Sequence, residues 1–117
     1  MSDAVWVYMT AANRQEAAKI GRILVEERLA ACVNILGEIE SIYWWQDAVT
    51  TDTEAAFVAK TRREKLTPLT DRVKELHSYT IPCVVALPIQ GGNPDFLDWI
   101  HKETQKRKAA QARPKGP

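Results

Sequence analysis

Residues 29–45, LAACVNILGEIESIYWW, and residues 49–62, VTTDTEAAFVAKTR, decide the fold of this 117-residue chain. Along the second stretch the odd-numbered positions from Val49 to Ala59 fall on one side, and charged residues such as Asp52, Glu54 and Lys60 fall on the other. This alternation is typical of a strand with one buried face. The two stretches therefore predict a single long β-hairpin.

The first stretch changes phase part way along. The apolar residues at positions 33, 35 and 39 share one phase, whereas Ile42 and Trp44 fall in the other. One extra residue would bring the two groups to the same face, so we expect a β-bulge near Glu40 or Ser41.

The predicted hairpin is longer than the body of the chain. A limb of roughly 14 residues would run about 45 Å, whereas a compact domain of this size is only about 35 Å across. The apolar end of the hairpin would overhang, and an uncovered apolar strand edge tends to aggregate. We expect another copy of the chain to cover it, in a symmetric oligomer.

The charges are distributed unevenly along the chain. Residues 102–117 contain six Lys or Arg and one acidic residue, whereas residues 1–101 contain ten basic and fourteen acidic residues. A nucleic-acid-binding domain would carry a basic face on its folded body, so we expect no nucleic-acid partner. No apolar run is long enough to span a bilayer, and the two cysteines are far apart. These features predict free thiols, no membrane partner and a cytoplasmic location.

The rest of the chain supplies further strands and helices. Asn13 and Glu16 form a predicted capping box for the first helix, and Gly21 on its inner face would allow a close approach to a sheet. The predicted elements are a strand over 4–10, a helix from 13, the hairpin, a helix over 63–77, a buried strand over 83–89 and a helix that begins at 93–94.

This βαββαβ order with an added C-terminal helix predicts an α+β, ferredoxin-like fold, in which an antiparallel sheet carries both long helices on one face. Residues 1–105 would form one domain, and residues 106–117, which are rich in Lys, Arg, Ala and Pro, a flexible basic tail.

Five short motifs together resemble the CutA family of divalent-cation tolerance proteins. They are LAACVNI at 29–35, SIYWW at 41–45, KT at 60–61, HxYxxP at 77–82 and WI at 99–100. The resemblance covers roughly residues 5–103. It implies a ferredoxin-like homotrimer assembled through long β-strands, which binds copper or another divalent cation and uses no organic cofactor.

The resemblance also implies a copper site, with two departures in this chain. Family members with a proposed site use a cysteine at the end of the first strand, the histidine of HxYxxPE and its closing glutamate. The corresponding residues here are Met9, His77 and Cys83. Asp47 stands where the family usually has glycine in the hairpin turn, a place where aspartate tolerates left-handed geometry.

The altered ligand set has two interpretations. Thioether, imidazole and thiolate donors would favour Cu(I) over hard ions. Met9 and Cys83 are equally typical of buried strand ends, and His77 at the end of a helix suits the helix dipole without any metal.

Aromatic and basic residues of the hairpin suggest contacts between copies. We expect Tyr43, Trp44 and Phe57 at the trimer interface. We expect Trp45, Lys60 and Tyr79 to line a cleft between subunits. An alternative function follows from that cleft, since signalling-type ferredoxin-like trimers bind a nucleotide or small anion between subunits.

Enzyme functions have little support in the sequence. The chain has no glycine-rich phosphate loop, no HExxH and no nucleophile motif. We therefore expect a non-catalytic protein, and three interlocked hairpins predict unusual resistance to heat.

Overall fold

The computed structural model describes residues 3–105 of the chain. The basic tail predicted over residues 106–117 lies outside the described residues. The elements in chain order are β1 Ala4–Ala11, α1 Arg14–Glu26, β2 Cys32–Trp45, β3 Ala48–Arg62, α2 Leu66–Leu76, β4 Val84–Pro88 and α3 Pro94–Glu103. A short 3₁₀ turn, Arg63–Lys65, connects β3 to α2. Within the described residues no helix is long and apolar enough to cross a membrane.

The strands form one sheet in the order β2-β3-β1-β4. Every neighbouring pair is antiparallel. The hairpin β2–β3 therefore supplies one edge of the sheet and one central strand. The predicted ferredoxin-like α+β fold is confirmed.

Both long helices pack on one face of the sheet, which we call the helix face. Its core combines apolar side chains of α1 and α2 with alternate residues of β1 and β3, and the fully buried members include Val7, Ile20, Phe57, Leu69 and Val73. The predicted close approach at Gly21 is confirmed. A β-carbon at this position would lie 2.8 Å from Cγ1 of Val33, nearer than packed side chains allow.

The β-bulge lies closer to the start of β2 than the phase change suggested. The pairing of β2 with β3 is irregular between Ile35 and Gly37, so Leu36 is the extra residue. The expected position near Glu40 or Ser41 is wrong. Gly37 has φ of 124°, a conformation that only glycine adopts freely, and this explains why the irregularity falls there.

The hairpin turn matches its prediction. Trp45 pairs with Ala48 across a two-residue loop, and both loop residues are left-handed, with φ of 50° at Gln46 and 63° at Asp47. Such turns match the natural twist of paired strands. Aspartate therefore occupies the left-handed position that the sequence assigned to it.

β4 is an edge strand rather than a buried one. It begins at Val84, one residue later than expected. β1 is its partner on one side only. Successive side chains of a strand point to opposite faces, so Ala86 packs against the core of the helix face while Val85 and Leu87 lie exposed on the opposite face.

The third helix packs on the opposite face, which we call the open face. Ile100 of α3 is fully buried in a small cluster with Ala4 and Ala31. The guanidinium of Arg62 donates to Oγ1 of Thr104 at 2.8 Å and to its carbonyl oxygen at 3.1 Å. These contacts hold α3 at one end of the open face.

The other end of the hairpin projects from the body. The molecule measures 53 × 33 × 23 Å. We call residues 38–53 the arm, and none of them is buried in the subunit. Ile42, Trp44 and Val49 are 68%, 74% and 61% exposed, so the predicted apolar overhang is present.

Candidate functional site

The residues of the HxYxxP motif form a corner where the chain leaves α2 and crosses the end of β1. Nε2 of His77 lies 2.7 Å from the carbonyl oxygen of Thr10, and Nδ1 of His77 accepts from the backbone N–H of Tyr79 at 3.0 Å. Since Nδ1 accepts, Nε2 must carry the proton and donate to Thr10. Both ring nitrogens are engaged, so this arrangement leaves the imidazole no free lone pair for a metal.

Glu16 fastens this corner to the start of α1. One carboxylate oxygen accepts from the backbone N–H of Ala12 at 2.9 Å, and the other accepts from that of Ser78 at 2.8 Å. Burial by itself raises the pKa of Glu16, but these backbone hydrogen bonds and the nearby His77 outweigh it, so the pKa lies below its ordinary value. Glu16, in the first turn of α1, is thus also the anchor of a distant loop.

Tyr79 turns onto the open face and meets a buried carboxylate. Its hydroxyl donates to Oε2 of Glu54 at 2.7 Å, and Glu54 is only 8% exposed. Burial, together with the hydrogen bond to Glu54, raises the pKa of Tyr79 well above its usual range. The phenol is therefore a fixed donor at neutral pH and offsets part of the cost of burying Glu54.

Cys83 lies half-buried at the end of the same loop. Burial, with the negative charge of Glu54 as a second cause, raises the pKa of the Cys83 thiol. The thiol is protonated at neutral pH, and a soft metal would have to displace that proton.

Met9 is not accessible to a ligand. Its side chain is fully buried in the core of the helix face, opposite Phe57 on β3. Within residues 3–105 no group of three or more His, Cys, Asp or Glu side chains is placed to hold a metal ion. The three residues that the resemblance assigns to copper do not fit a ready-made site in one chain.

The three predicted cleft residues are far apart in the subunit. Tyr79 contacts Glu54, which lies six positions from Lys60 on β3. Trp45 pairs with Ala48, twelve positions from Lys60 on the same strand. At about 3.3 Å per residue these separations are roughly 20 Å and 40 Å. The three side chains could line one cleft only if different copies contributed them.

Of the three residues expected at the trimer interface, Phe57 is misplaced. It has no exposed surface because α1 and α2 cover its side of β3, so it belongs to the core of its own subunit. Tyr43 and Trp44 lie on the exposed arm. The hydroxyl of Tyr43 donates to Oδ2 of Asp52 on the paired strand.

Sequence reasoning missed Glu54 and the second role of Glu16. The sequence pattern places Glu54 on the polar side of β3 and predicts no partner for it, and it predicts for Glu16 only a role in the cap of α1. Both partners belong to the loop after α2. Ser78 is 62 residues from Glu16 along the chain, and Tyr79 is 25 residues from Glu54. No local pattern in the sequence predicts contacts between residues so far apart in the chain.

Comparisons with known proteins place the chain in one family. The family described as CutA1 divalent ion tolerance protein matches residues 5–103. The divalent-cation tolerance protein CutA of Archaeoglobus fulgidus is 45% identical over 100 residues, which cover 86% of this chain and 97% of that protein. The chloroplastic protein CutA 1 of rice, Oryza sativa, is 43% identical over 103 residues, which cover 88% of this chain and 58% of that longer protein.

Solved structures agree with the sequence comparisons. The structure of the divalent cation tolerance protein Cut A1 from Thermus thermophilus matches with a TM-score of 0.85 and 45% identity, and covers 87% of this chain and 99% of that one. The motifs, the sheet order and the matched length agree, and the chain belongs to the CutA1 divalent ion tolerance family.

Proposed function

We propose that the protein is a non-catalytic homotrimer that contributes to divalent-cation tolerance by binding copper or another divalent ion. The main support for an assembly of several copies is the exposed arm. Three large apolar side chains, Ile42, Trp44 and Val49, are more than half exposed on the same stretch of hairpin. A cluster of this kind on a soluble domain is typical of an interface between proteins.

The sheet edges support a ring of copies. β2 forms one edge and β4 the other, and the two edges differ in length and sequence. Contacts between different edges are head-to-tail, and such contacts close into a ring when the rotation allows it. The resemblance to trimeric family members gives the number three.

For the metal, His77 and Cys83 are the side chains to test. His77 would have to release the backbone N–H of Tyr79 to free the lone pair of Nδ1, and the Cys83 thiol would have to lose its proton. Met9 is enclosed in the core. The ligand set therefore requires the 77–83 loop to rearrange or another subunit to contribute a donor.

The test combines native mass spectrometry with titration of the reduced protein by Cu(I) and Cu(II). We expect the mass of three chains and one ion per chain, with binding lost in His77→Ala and in Cys83→Ser. Cys32→Ser is the matched control, because it removes the other half-buried thiol and should leave binding intact. A monomeric mass would refute the assembly, and binding retained by both loop variants would refute the ligands.

A further inference from the structure

The open face carries a basic and aromatic corner beside α3, at the opposite end of β3 from the arm. Lys60 lies in one row across the sheet with Cys32 on β2 and Trp6 on β1. Its Nζ donates to Oδ1 of Asn34 at 2.6 Å and lies 5.8 Å from the ring centroid of Phe96.

Lys60 differs from three arginines of the body in its partners. Arg28, Arg62 and Arg72 each form an ion pair with a glutamate. Within residues 3–105 no carboxylate lies within ion-pair distance of Lys60, whose contacts are a neutral amide and an aromatic ring. Its positive charge is held in place but not neutralised.

Two aromatic side chains lie beside this ammonium. The rings of Phe96 and Trp99 stack with centroids 5.4 Å apart and an angle of 29° between planes. Both rings remain exposed, as does Leu87 on the neighbouring strand β4. An aromatic wall beside a cation is suited to a ligand that has a planar ring and a negative group.

Asn34 adds a second polar group. Because its Oδ1 accepts from Lys60, the amide nitrogen is oriented with both hydrogens available to a ligand. The thiol of Cys32 does not compete as a counter-ion, since burial raises its pKa despite the opposing effect of Lys60.

We propose that this corner binds a small planar organic anion, with the phosphate or carboxylate on Lys60 and Asn34 and the ring against Phe96 and Trp99. The site is complete within one chain and lies roughly 40 Å from the tip of the arm, from the twelve positions between Lys60 and Ala48. None of its side chains is one that we propose for the metal, so its failure would leave the proposed metal site untouched.

Calorimetry with adenosine monophosphate, inorganic phosphate and adenosine tests the two halves of the site separately. At low salt we expect adenosine monophosphate to bind once per chain, with an affinity at least about tenfold higher than that of inorganic phosphate or of adenosine. Lys60→Met, which keeps the length of the side chain, should weaken its binding about tenfold or more, whereas Lys60→Arg should keep it. Benzoate repeats the measurement for a carboxylate in place of a phosphate.

The matched control is Lys102→Met, which removes an exposed lysine from α3, the helix that carries Phe96 and Trp99. It should leave binding unchanged. Trp99→Leu should lower the affinity for adenosine monophosphate but not for phosphate. Absence of saturable binding of both ring-bearing anions, or binding that Lys60→Met retains, would overturn the proposal. If Lys60→Met fails to fold, equal affinities of the wild-type protein for adenosine and adenosine monophosphate would overturn it instead.

Discussion

The two halves of the β2–β3 hairpin have the same alternation of side chains but different surroundings. In the half next to the body, residues Glu54–Ala59 of β3 are all buried. In the arm, beyond the ends of α1 and α2, no residue is. The same strand pattern therefore contributes to the core in one half and to an exposed apolar surface in the other. The two halves differ only in whether helices pack on them.

The difference shows why an apolar strand residue cannot be assigned to an interface from its phase alone. Phe57 and Trp44 both belong to long, apolar, paired strands. Phe57 has no exposed surface, whereas Trp44 is 74% exposed. The helices that cover Phe57 come from distant parts of the chain, so the sequence of the strand does not predict which of its residues they bury.

The largest effect should come from a charge on the arm. We expect Ile42→Glu to dissociate the proposed trimer while each chain stays folded, because a buried carboxylate would replace apolar contact at a cost of about 2–4 kcal/mol per copy. Light scattering gives the mass, and circular dichroism gives the fold. Gln15→Glu adds the same charge on exposed α1 and should remain trimeric. An intact Ile42→Glu trimer would place the interface elsewhere.

A change that affects the body half should do the opposite: it should destabilise each chain but leave the trimer assembled. Gly21→Val would force a side chain into the 2.8 Å gap against Cγ1 of Val33 and should lower the free energy of unfolding by about 2–3 kcal/mol. The gain in helix propensity, a few tenths of a kcal/mol, is too small to offset this. Urea unfolding measures the loss, and the trimer mass should persist at low denaturant.

Gly91→Val is the matched control for the body half. No atom lies within 4 Å of a β-carbon built at Gly91, and its backbone has no positive φ. We expect no more than a small change in its unfolding midpoint. Equal losses in the two glycine variants would show that contact with Val33 is not the cause.

Tyr79 links the two halves at the point where burial begins on β3. Tyr79→Phe would leave the carboxylate of Glu54 without its phenol donor and should cost about 1–2 kcal/mol. Because the pKa of Tyr79 is raised in the folded state, the stabilisation is fully present below about pH 10, the ordinary pKa of tyrosine, and is lost as the pH rises above it.

Urea unfolding measured from neutral to high pH separates the cost of losing the hydrogen bond from the pH dependence of the stabilisation. The wild-type protein should lose stability above about pH 10, and Tyr79→Phe should lose less over the same range. Tyr8→Phe, on the same open face and with its hydroxyl in no hydrogen bond among the described residues, should follow the wild-type curve. An unchanged alkaline slope in Tyr79→Phe would contradict this account.

Local signals in the sequence were enough for much of the fold. The alternation after Val49 predicted the hairpin, Asp47 matched the left-handed turn, and Gly21 matched the close contact with β2. Each depends on residues close together in the chain or on the conformational range of one residue type. The overhang followed from length alone.

The candidate sites depend on contacts that no local pattern contains. The contact of Tyr79 with Glu54 joins a loop to a strand, and that of Lys60 with Phe96 joins a strand to the last helix. The bulge is an intermediate case. Phase placed it at Glu40 or Ser41, but Gly37 in mid-strand was the better signal, because glycine inside a strand often marks a bulge.

The smallest effect should come from Gly37, at the junction of the two halves. A β-carbon there meets no atom within 4 Å, so Gly37→Ala changes only the backbone, whose φ is 124°. Strain in this conformation should cost about 1 kcal/mol, measured as a lower urea midpoint, while Gly91→Ala should shift it little. A loss as large as that of Gly21→Val would mean that the bulge fixes the packing of the body as well as the direction of the arm. A loss accompanied by dissociation would mean that the bulge chiefly aims the arm at its partner, since the apolar side chains of the arm are unchanged in this variant.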